Sequence, residues 1–589
     1  MAMAEDANVL TEILTEDVVF RMCHFLPGSA LLAVGASCRA LVAATQRSAA
    51  LWLALCRALL GDALVHLHAR AWAASAPYAD WGSDLARFLQ ALFRAAYDCR
   101  FFRYAHSLRQ ACLAEHPPAD APAWPVSELS ALAGLAPPVA GPTAERLGQQ
   151  QELRLALAAS GLSACTVGPF VVLTGGWRPL DSGSLLHTCV VDVRVPAVLR
   201  PTLAEGSARP GRRLRHSSCV VRPAGSEGLP QVLVLGGCND TTNTPCGGLQ
   251  TLTLLEFTGE GCGEICWREE VAEGQAPQSL WHHACGSFAN GKRVVVFGGD
   301  MRQDDPEFRH IEVRSAARHV YLLDVEQRRW ERVATGGDVP VWRSLHAGVA
   351  HTSLTDASER FVVMGGCVEH LAPHSNGMPA DMRGYSLNLS TFRWQRGGPP
   401  PTDDEEDEVF LGGRNLEADV FPHLLAHAHR GRNPGGVFPH LLAPAHRGVL
   451  DLQSGPFLPQ PRARFAAERI GRHLVVYGGQ PLTGEVHLEG HILALNLITL
   501  TWSRIFADNG EHSWHHAPAG VMAGGVISGG VGLHYERVYL PVPKLEFLCL
   551  CPPGFEDDDD SEDEEDGGPG GPLMAGGRIR VHSPGGDHE

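Results

Sequence analysis

No run in this chain approaches the roughly 18 uninterrupted apolar residues of a membrane-spanning helix. Its opening, MAMAEDANVL, has no basic segment leading into an apolar one, so no secretory signal is expected. Positive charge is scarce too: 48 Lys and Arg stand against 66 Asp and Glu, a formal net charge of −18. That surplus is local. DDEEDE (403–408) and EDDDDSEDEED (556–566) hold sixteen of the acids, and the rest of the chain sits near −2. Near-neutral folded parts without clustered Lys and Arg argue against nucleic acid as a partner. The acidic runs read as solvated, disordered segments, or alternatively as an acidic tail for a basic partner.

Paired cysteine spacings are missing as well. Among 16 cysteines the closest pairs are Cys262/Cys266 and Cys549/Cys551, and neither has a second matching pair. Zinc ligation is therefore not expected, and the thiols read as reduced, small apolar groups of an intracellular protein of the cytoplasm or nucleus. There is no Gly-rich phosphate loop, nucleophile elbow or HExxH, so no catalytic residue, metal or cofactor is expected.

What the chain does have is repetition. At 589 residues it is too long for one core. Short β-branched runs ending in a glycine pair recur as VVLTGG (171–176), VLVLGG (232–237), VVVFGG (294–299), FVVMGG (361–366) and LVVYGG (474–479). GVISGG (525–530) is a weaker sixth. The pairs are Gly175-Gly176, Gly236-Gly237, Gly298-Gly299, Gly365-Gly366 and Gly478-Gly479, with the first four spaced by 61, 62 and 67 residues. Trp267, Trp330, Trp394 and Trp502 follow the first glycine of their units by 24 to 32 residues. Upstream, an Arg or Trp shortly precedes a histidine in RRLRH (212–216), LWHH (280–283), WRSLH (342–346) and SWHH (513–516), whereas PRARF (461–465) has Phe465 in that place.

An apolar strand ending in Gly-Gly suits an inner strand whose end lies close to other backbone. The tryptophan fills a wedge between neighbours, and units that cannot bury both faces alone stack radially. Four-stranded blades follow, and six glycine pairs predict six of them. The strand after Gly530, in YERVYLPVPKLEFLCL, is expected to close the ring against the first unit. The pattern resembles the kelch repeat over about 165–550.

Between Trp394 and Gly478 the repeat swells by about 50 residues that carry VFPHLLAHAHRG (420–431) and its near-copy VFPHLLAPAHRG (437–448). This apolar-histidine cluster could be read as a metal site. A tandem duplication within a propeller loop, or an artefact of gene annotation, accounts better for the near-identity. Upstream, residues 51–160 are rich in Ala, Leu and Arg with helical spacing, as in DWGSDLARFLQALFRAAYDCRFFRY (80–104), broken by Pro-rich stretches.

At the head, Leu14, Val18, Val19, Met22, Phe25 and Leu26 share a helical face, Pro27-Gly28 interrupts it, and Leu31, Leu32 and Val34 resume it. This apolar surface exceeds what about 45 residues can bury, so a partner is implied. The order of residues resembles the F-box: Leu14 with Thr15 in place of proline, Leu26-Pro27, Leu31-Leu32, Cys38-Arg39 and Leu51-Trp52. Thr15 is itself an acceptable N-cap. SACTVGPFVVLTGG (163–176) and NPGGV (433–437) are similar to the kelch half of the plant blue-light receptor family typified by ZEITLUPE. That family's flavin-binding LOV domain has no counterpart in the ten or so residues ahead of Leu14.

The organisation expected is multidomain: a disordered 1–10, an all-α F-box at 11–60, a helical linker at 61–160, and an all-β kelch propeller at 165–550. A disordered insert occupies 398–456, and 551–589 is an acidic, Gly-rich tail. The resemblance implies a substrate-recognition adaptor of an SCF-type ubiquitin ligase, non-catalytic itself, that links a target to Skp1 and through it to a cullin and RING protein. Leu14, Val18, Val19, Met22, Leu26, Leu31 and Leu32 are the Skp1-facing candidates. Loop positions just after the glycine pairs (Trp177, Arg178, Asn239, Asp300, Arg302, Gln480) are the candidates for target binding. The rivals are a kelch scaffold without ubiquitin transfer and a metal-dependent enzyme on the same fold. Against the enzyme, His216, His283, His346 and His516 recur once per unit, as structural hydrogen bonding would, whereas a metal site would break the repeat.

Overall fold

The computed structural model describes residues 48–73, 84–98, 101–106, 130–132, 159–177, 186–194, 197–223, 230–239, 246, 248–258, 263–277, 279–300, 319–353, 355–368, 378–397, 458–459, 461–481, 491–507, 520–529, 531–533, 539–541 and 545–550. Residues 398–457, which include the expected insert, lie outside the described residues.

Each glycine-pair run is the second strand of an antiparallel meander. The first blade comprises Ser160–Val167, Phe170–Trp177, Thr188–Asp192 and Ala197–Leu199. The second comprises Ser217–Val221, Gln231–Leu235, Thr251–Phe257 and Glu264–Val271. The third comprises Ala284–Phe288, Arg293–Phe297, His319–Asp324 and Arg329–Ala334. Ala347–Thr352, Glu359–Met364, Tyr385–Asn388 and Arg393–Arg396 make the fourth. Ala466–Ile470, His473–Tyr477, His491–Asn496 and Trp502–Ala507 make the fifth. Blades two to four each gain a two-residue parallel strand from the preceding connection, at Thr202–Leu203, Glu273–Gly274 and Gly336–Gly337. The second strands are buried on both faces, which is why they read as continuous apolar runs rather than alternating ones.

The structure therefore shows five blades, not the six expected. The last glycine pair does not found a blade of its own. Gly520–Ala523, Val526–Gly529 and Leu545–Leu550 form three strands of a composite sheet whose outer edge is Phe101–His106, from far upstream. Leu545–Leu550 thus pairs with Phe101–His106 and not with the first repeat. First strands of successive blades pack side by side, and Gly520–Ala523 lies between those of blades five and one, closing the ring.

Among the described residues three helices precede this closure: α1 (Ala49–Leu60), α2 (Asp62–Ala73) and α3 (Leu85–Asp98). Ser48 caps α1 through the Leu51 amide, and Gly61, at φ +83°, ends it. Trp52 meets Phe93 edge-on at 5.6 Å, and Trp72 meets Phe88 at the same distance. Leu51 and Trp52 are buried, and Trp52 shares a core with Val171 and Val191 of blade one, Val475 and Tyr477 of blade five, and Leu550 of the composite sheet. These helices are packed onto the ring. α2 is tied to its last strand by Trp72 Nε1–H donating to Leu550 O (2.8 Å) and the Leu550 amide donating to His68 Nε2 (2.7 Å). His68 must then carry its proton on Nδ1, which donates to Leu64 O. Among the described residues no single helix is long and apolar enough to cross a membrane.

Candidate functional site

Each glycine pair sits where two blades meet. The second glycine packs against its own blade's first strand. A Cβ on Gly237, Gly299, Gly366 or Gly479 would come within 2.7–2.8 Å of Cβ of His216, His283, His346 or Phe465, and Gly176 is crowded by Ala159 and Leu162. The first glycine faces the next blade: Gly175 faces His216, Gly236 faces His283, Gly298 faces His346 and Gly365 faces Phe465. All of these described glycines, and Gly478, have positive φ, which together with the crowding leaves no room for another residue. Phe465 fills against Gly365 the place a histidine ring fills elsewhere.

The second glycine's amide also crosses to the next blade: Gly176 donates to Arg213 O, Gly237 to Leu280 O, Gly299 to Arg343 O and Gly366 to Arg462 O. The guanidinium groups of Arg213, Arg343 and Arg462 are buried and donate to the carbonyls of Gly236, Gly365 and Gly478 in their own blades. His216 pairs with Thr174 Oγ1 (2.9 Å) and His283 with Ser217 Oγ (2.6 Å). Burial drives both imidazoles down to about 3, so they are neutral at physiological pH and serve the frame.

The tryptophans hold the outer wedges. Trp267 packs with Val172 and Leu186 of blade one, Trp330 with Leu233 and Leu235 of blade two, and Trp394 against Phe297 of blade three at 5.3 Å. Trp330 Nε1–H reaches Leu249 O, and Trp502 Nε1–H reaches Met382 O of blade four.

This frame presents a rim at the end of the first strands. The residues after the glycine pairs, Trp177, Cys238, Asp300, Cys367 and Gln480, pair antiparallel with Ser160, Leu214, Trp281, Ser344 and Ala463. One residue beyond those partners the backbone turns left-handed in every blade: Gly161 (+69°), Arg215 (+60°), His282 (+57°), Leu345 (+56°) and Arg464 (+57°). A belt of backbone bonds joins them, each amide donating to its predecessor's carbonyl: Arg215 to Gly161, His282 to Arg215, Leu345 to His282 and Arg464 to Leu345. Left-handed Arg, His and Leu cost roughly 1–2 kcal/mol each. The belt over-determines them.

Chemically the rim is mixed. His282 Nδ1 and the Asp300 carboxylate lie 2.6 Å apart. Burial, with Arg215 and Arg464 nearby, still pulls the imidazole down to about 4 against the opposing pull of Asp300. His282 and Asp300, with the Arg215 and Arg464 guanidinium groups nearby, share this rim with Trp177, which is 39% exposed. Such a surface can hold a peptide by hydrogen bonds and aromatic contact. Among the described residues no three His, Cys, Asp or Glu side chains are grouped to hold a metal.

Of the expected target-facing residues, Trp177, Asp300 and Gln480 occupy equivalent rim positions and Asn239 follows Cys238. Arg178 and Arg302 lie outside the described residues, as do Leu14, Val18, Val19, Met22, Leu26, Leu31 and Leu32. Arg215, His282 and Arg464 were not among the expected residues. The available signal was their fixed place immediately before the phased His or Phe.

No family model matches the chain. The chain is 30% identical over 219 residues to an adagio-like protein of Oryza sativa subsp. japonica, a match covering 35% of this chain and 30% of the relative. It is 27% identical over 146 residues to host cell factor 2 of Homo sapiens, covering 23% of this chain and 16% of the relative. It thus spans less than a third of the length of either relative.

Proposed function

We propose that the chain is a non-catalytic substrate-recognition adaptor of an SCF-type ubiquitin ligase. In this reading residues 11–60 are an F-box that docks Skp1 and through it a cullin and RING protein, and the propeller rim holds a target protein, in the cytoplasm or nucleus. The observation that carries the recognition half is the rim itself, a rigid belt in each blade bearing Arg215, His282, Asp300, Arg464 and the exposed Trp177. Support for the ligase half is the F-box order of residues together with the likeness to an adagio-like protein. Catalysis would come from proximity alone, since a tethered target meets the charged conjugating enzyme at high effective concentration.

A pull-down of the intact chain with Skp1, beside the Leu14→Asp/Leu31→Asp variant, tests the ligase half. Binding by the intact chain and its loss in the variant are expected. No binding by the intact chain, or equal binding by both, would leave a propeller scaffold that binds partners without ubiquitin transfer.

A further inference from the structure

The first strands pack side by side around the ring's axis, and their register runs on from the rim. Arg464 donates to Leu345 O as Leu345 donates to His282 O, so blade five follows blade four as blade four follows blade three. Counted down from those residues, Gly348 abuts Ala284 and Gly286 abuts Ala350 between blades three and four. The same count between blades four and five sets Ala467 against Ala347, Arg469 against Val349 and Gly471 against His351. The Arg469 side chain reaches that last level, because its Nε–H donates to Gly471 O (3.0 Å). The guanidinium and the His351 imidazole therefore share one level of the gap between blades, at the end of the ring away from the rim.

The surrounding protein leaves both groups with capacity to spare. His351 is 8% exposed, and its Nε2 is buried without a hydrogen-bond partner among the described residues. Its Nδ1 lies 3.2 Å from Thr352 O, which can only accept, so Nδ1 carries the ring proton and Nε2 offers a lone pair. Burial, and then Arg469, lowers His351 to about 4, so it is a neutral acceptor at physiological pH. Arg469 is half-buried and forms no ion pair among the described residues, and burial draws its guanidinium down to about 10. The charged neighbours are engaged elsewhere. Glu468 turns its carboxylate to the amides of Gly524 and Gly525. Arg360, opposite His351 in the ladder, donates to Asp356 and Ser358.

We propose that Arg469 and His351 form a binding site for orthophosphate, with Arg469 donating to an anionic phosphate oxygen and a phosphate O–H donating to His351 Nε2. A guanidinium drawn out of water without a carboxylate is matched by an anion. The neutral imidazole narrows the choice, because the anion must also bring a proton. Sulfate and chloride have none to give at neutral pH. A phosphate monoester loses its last acidic proton at about pH 6, whereas orthophosphate keeps one throughout the neutral range. This site lies at the far end of the ring from the rim and does not depend on the adaptor reading.

The test is calorimetric titration of the full chain, slightly above neutral pH, with sodium phosphate and, at matched ionic strength, with sodium sulfate and phosphoserine. The expected result is saturable binding of phosphate, roughly tenfold or more tighter than either competitor, since each of those leaves the buried lone pair unmatched. Arg469→Met should weaken phosphate binding by about tenfold or more, because the charge-assisted bond is lost. In His351→Phe the preference for phosphate over sulfate should disappear. No saturable phosphate binding, sulfate or phosphoserine bound as tightly as phosphate, or unchanged binding in Arg469→Met would each overturn the proposal. The comparison of anions on the wild-type chain decides even if a variant misfolds.

Discussion

A single carboxylate fastens the composite sheet to the fifth blade. Both oxygens of Glu468 accept from the hairpin, from the amides of Gly524 and Gly525. Gly524 needs its +58° φ and its lack of a side chain, because Ala63 of α2 and Val171 of blade one crowd it. Burial pushes the Glu468 carboxyl from 4.5 up to about 7, although the two amides pull the other way. Between those values the folded chain binds a proton that the unfolded chain has released, so stability falls as pH rises through that window. In Glu468→Gln that dependence disappears. The expected outcome is that the stability advantage of wild type over Glu468→Gln, measured by urea unfolding, shrinks as pH is raised from about 4.5 to about 7. A pH-independent difference would contradict it.

At the scale of elements, the contact of α2 with the last strand depends on a histidine that must stay neutral. His68 accepts from the Leu550 amide through Nε2, and burial lowers its value to about 4. Above about 6.5 it is neutral folded or unfolded. As pH falls below that, the unfolded chain gains a proton the folded chain resists, and stability is lost toward about 4. His68→Ala leaves the buried Leu550 amide without its acceptor, at a cost of about 1–3 kcal/mol, and removes this part of the acid sensitivity. Thermal melts of both proteins at neutral and acidic pH would show it.

Much of this level was legible in the sequence because it repeats. Glycine pairs and tryptophans recur in phase since each blade meets the next in the same way. Phe101–His106 was not legible: FFRY continues the helical pattern of 80–104, and only Leu545–Leu550, remote in sequence, makes it a strand. The rim's left-handed Arg215, His282 and Arg464 were hidden for a related reason. None of these residue types favours that conformation, which is imposed by hydrogen bonds between blades.

For the whole molecule, the ring is closed by a strand that precedes the repeats. A chain starting after His106 lacks the outer edge of the composite sheet and the helices that cover it. Its Leu545–Leu550 strand then presents unpaired amides and carbonyls, and unpaired edges associate. A truncation to 107–589 is expected to elute as soluble aggregate or to precipitate, whereas 48–589 is expected to remain monodisperse by size-exclusion chromatography. Equal behaviour of the two would show that the N-terminal strand is dispensable.

The same closure sets a schedule. Trp72 and its carbonyl partner at Leu550 are 478 residues apart in the chain. At about 5–20 residues per second, synthesis keeps that partner from Trp72 for roughly half a minute to a minute and a half. Blades one to five can form in turn as they emerge, but α2 and Phe101–His106 must wait for their partners in Leu545–Leu550 until nearly the last strand is made. The vulnerable period of this protein is therefore its own translation.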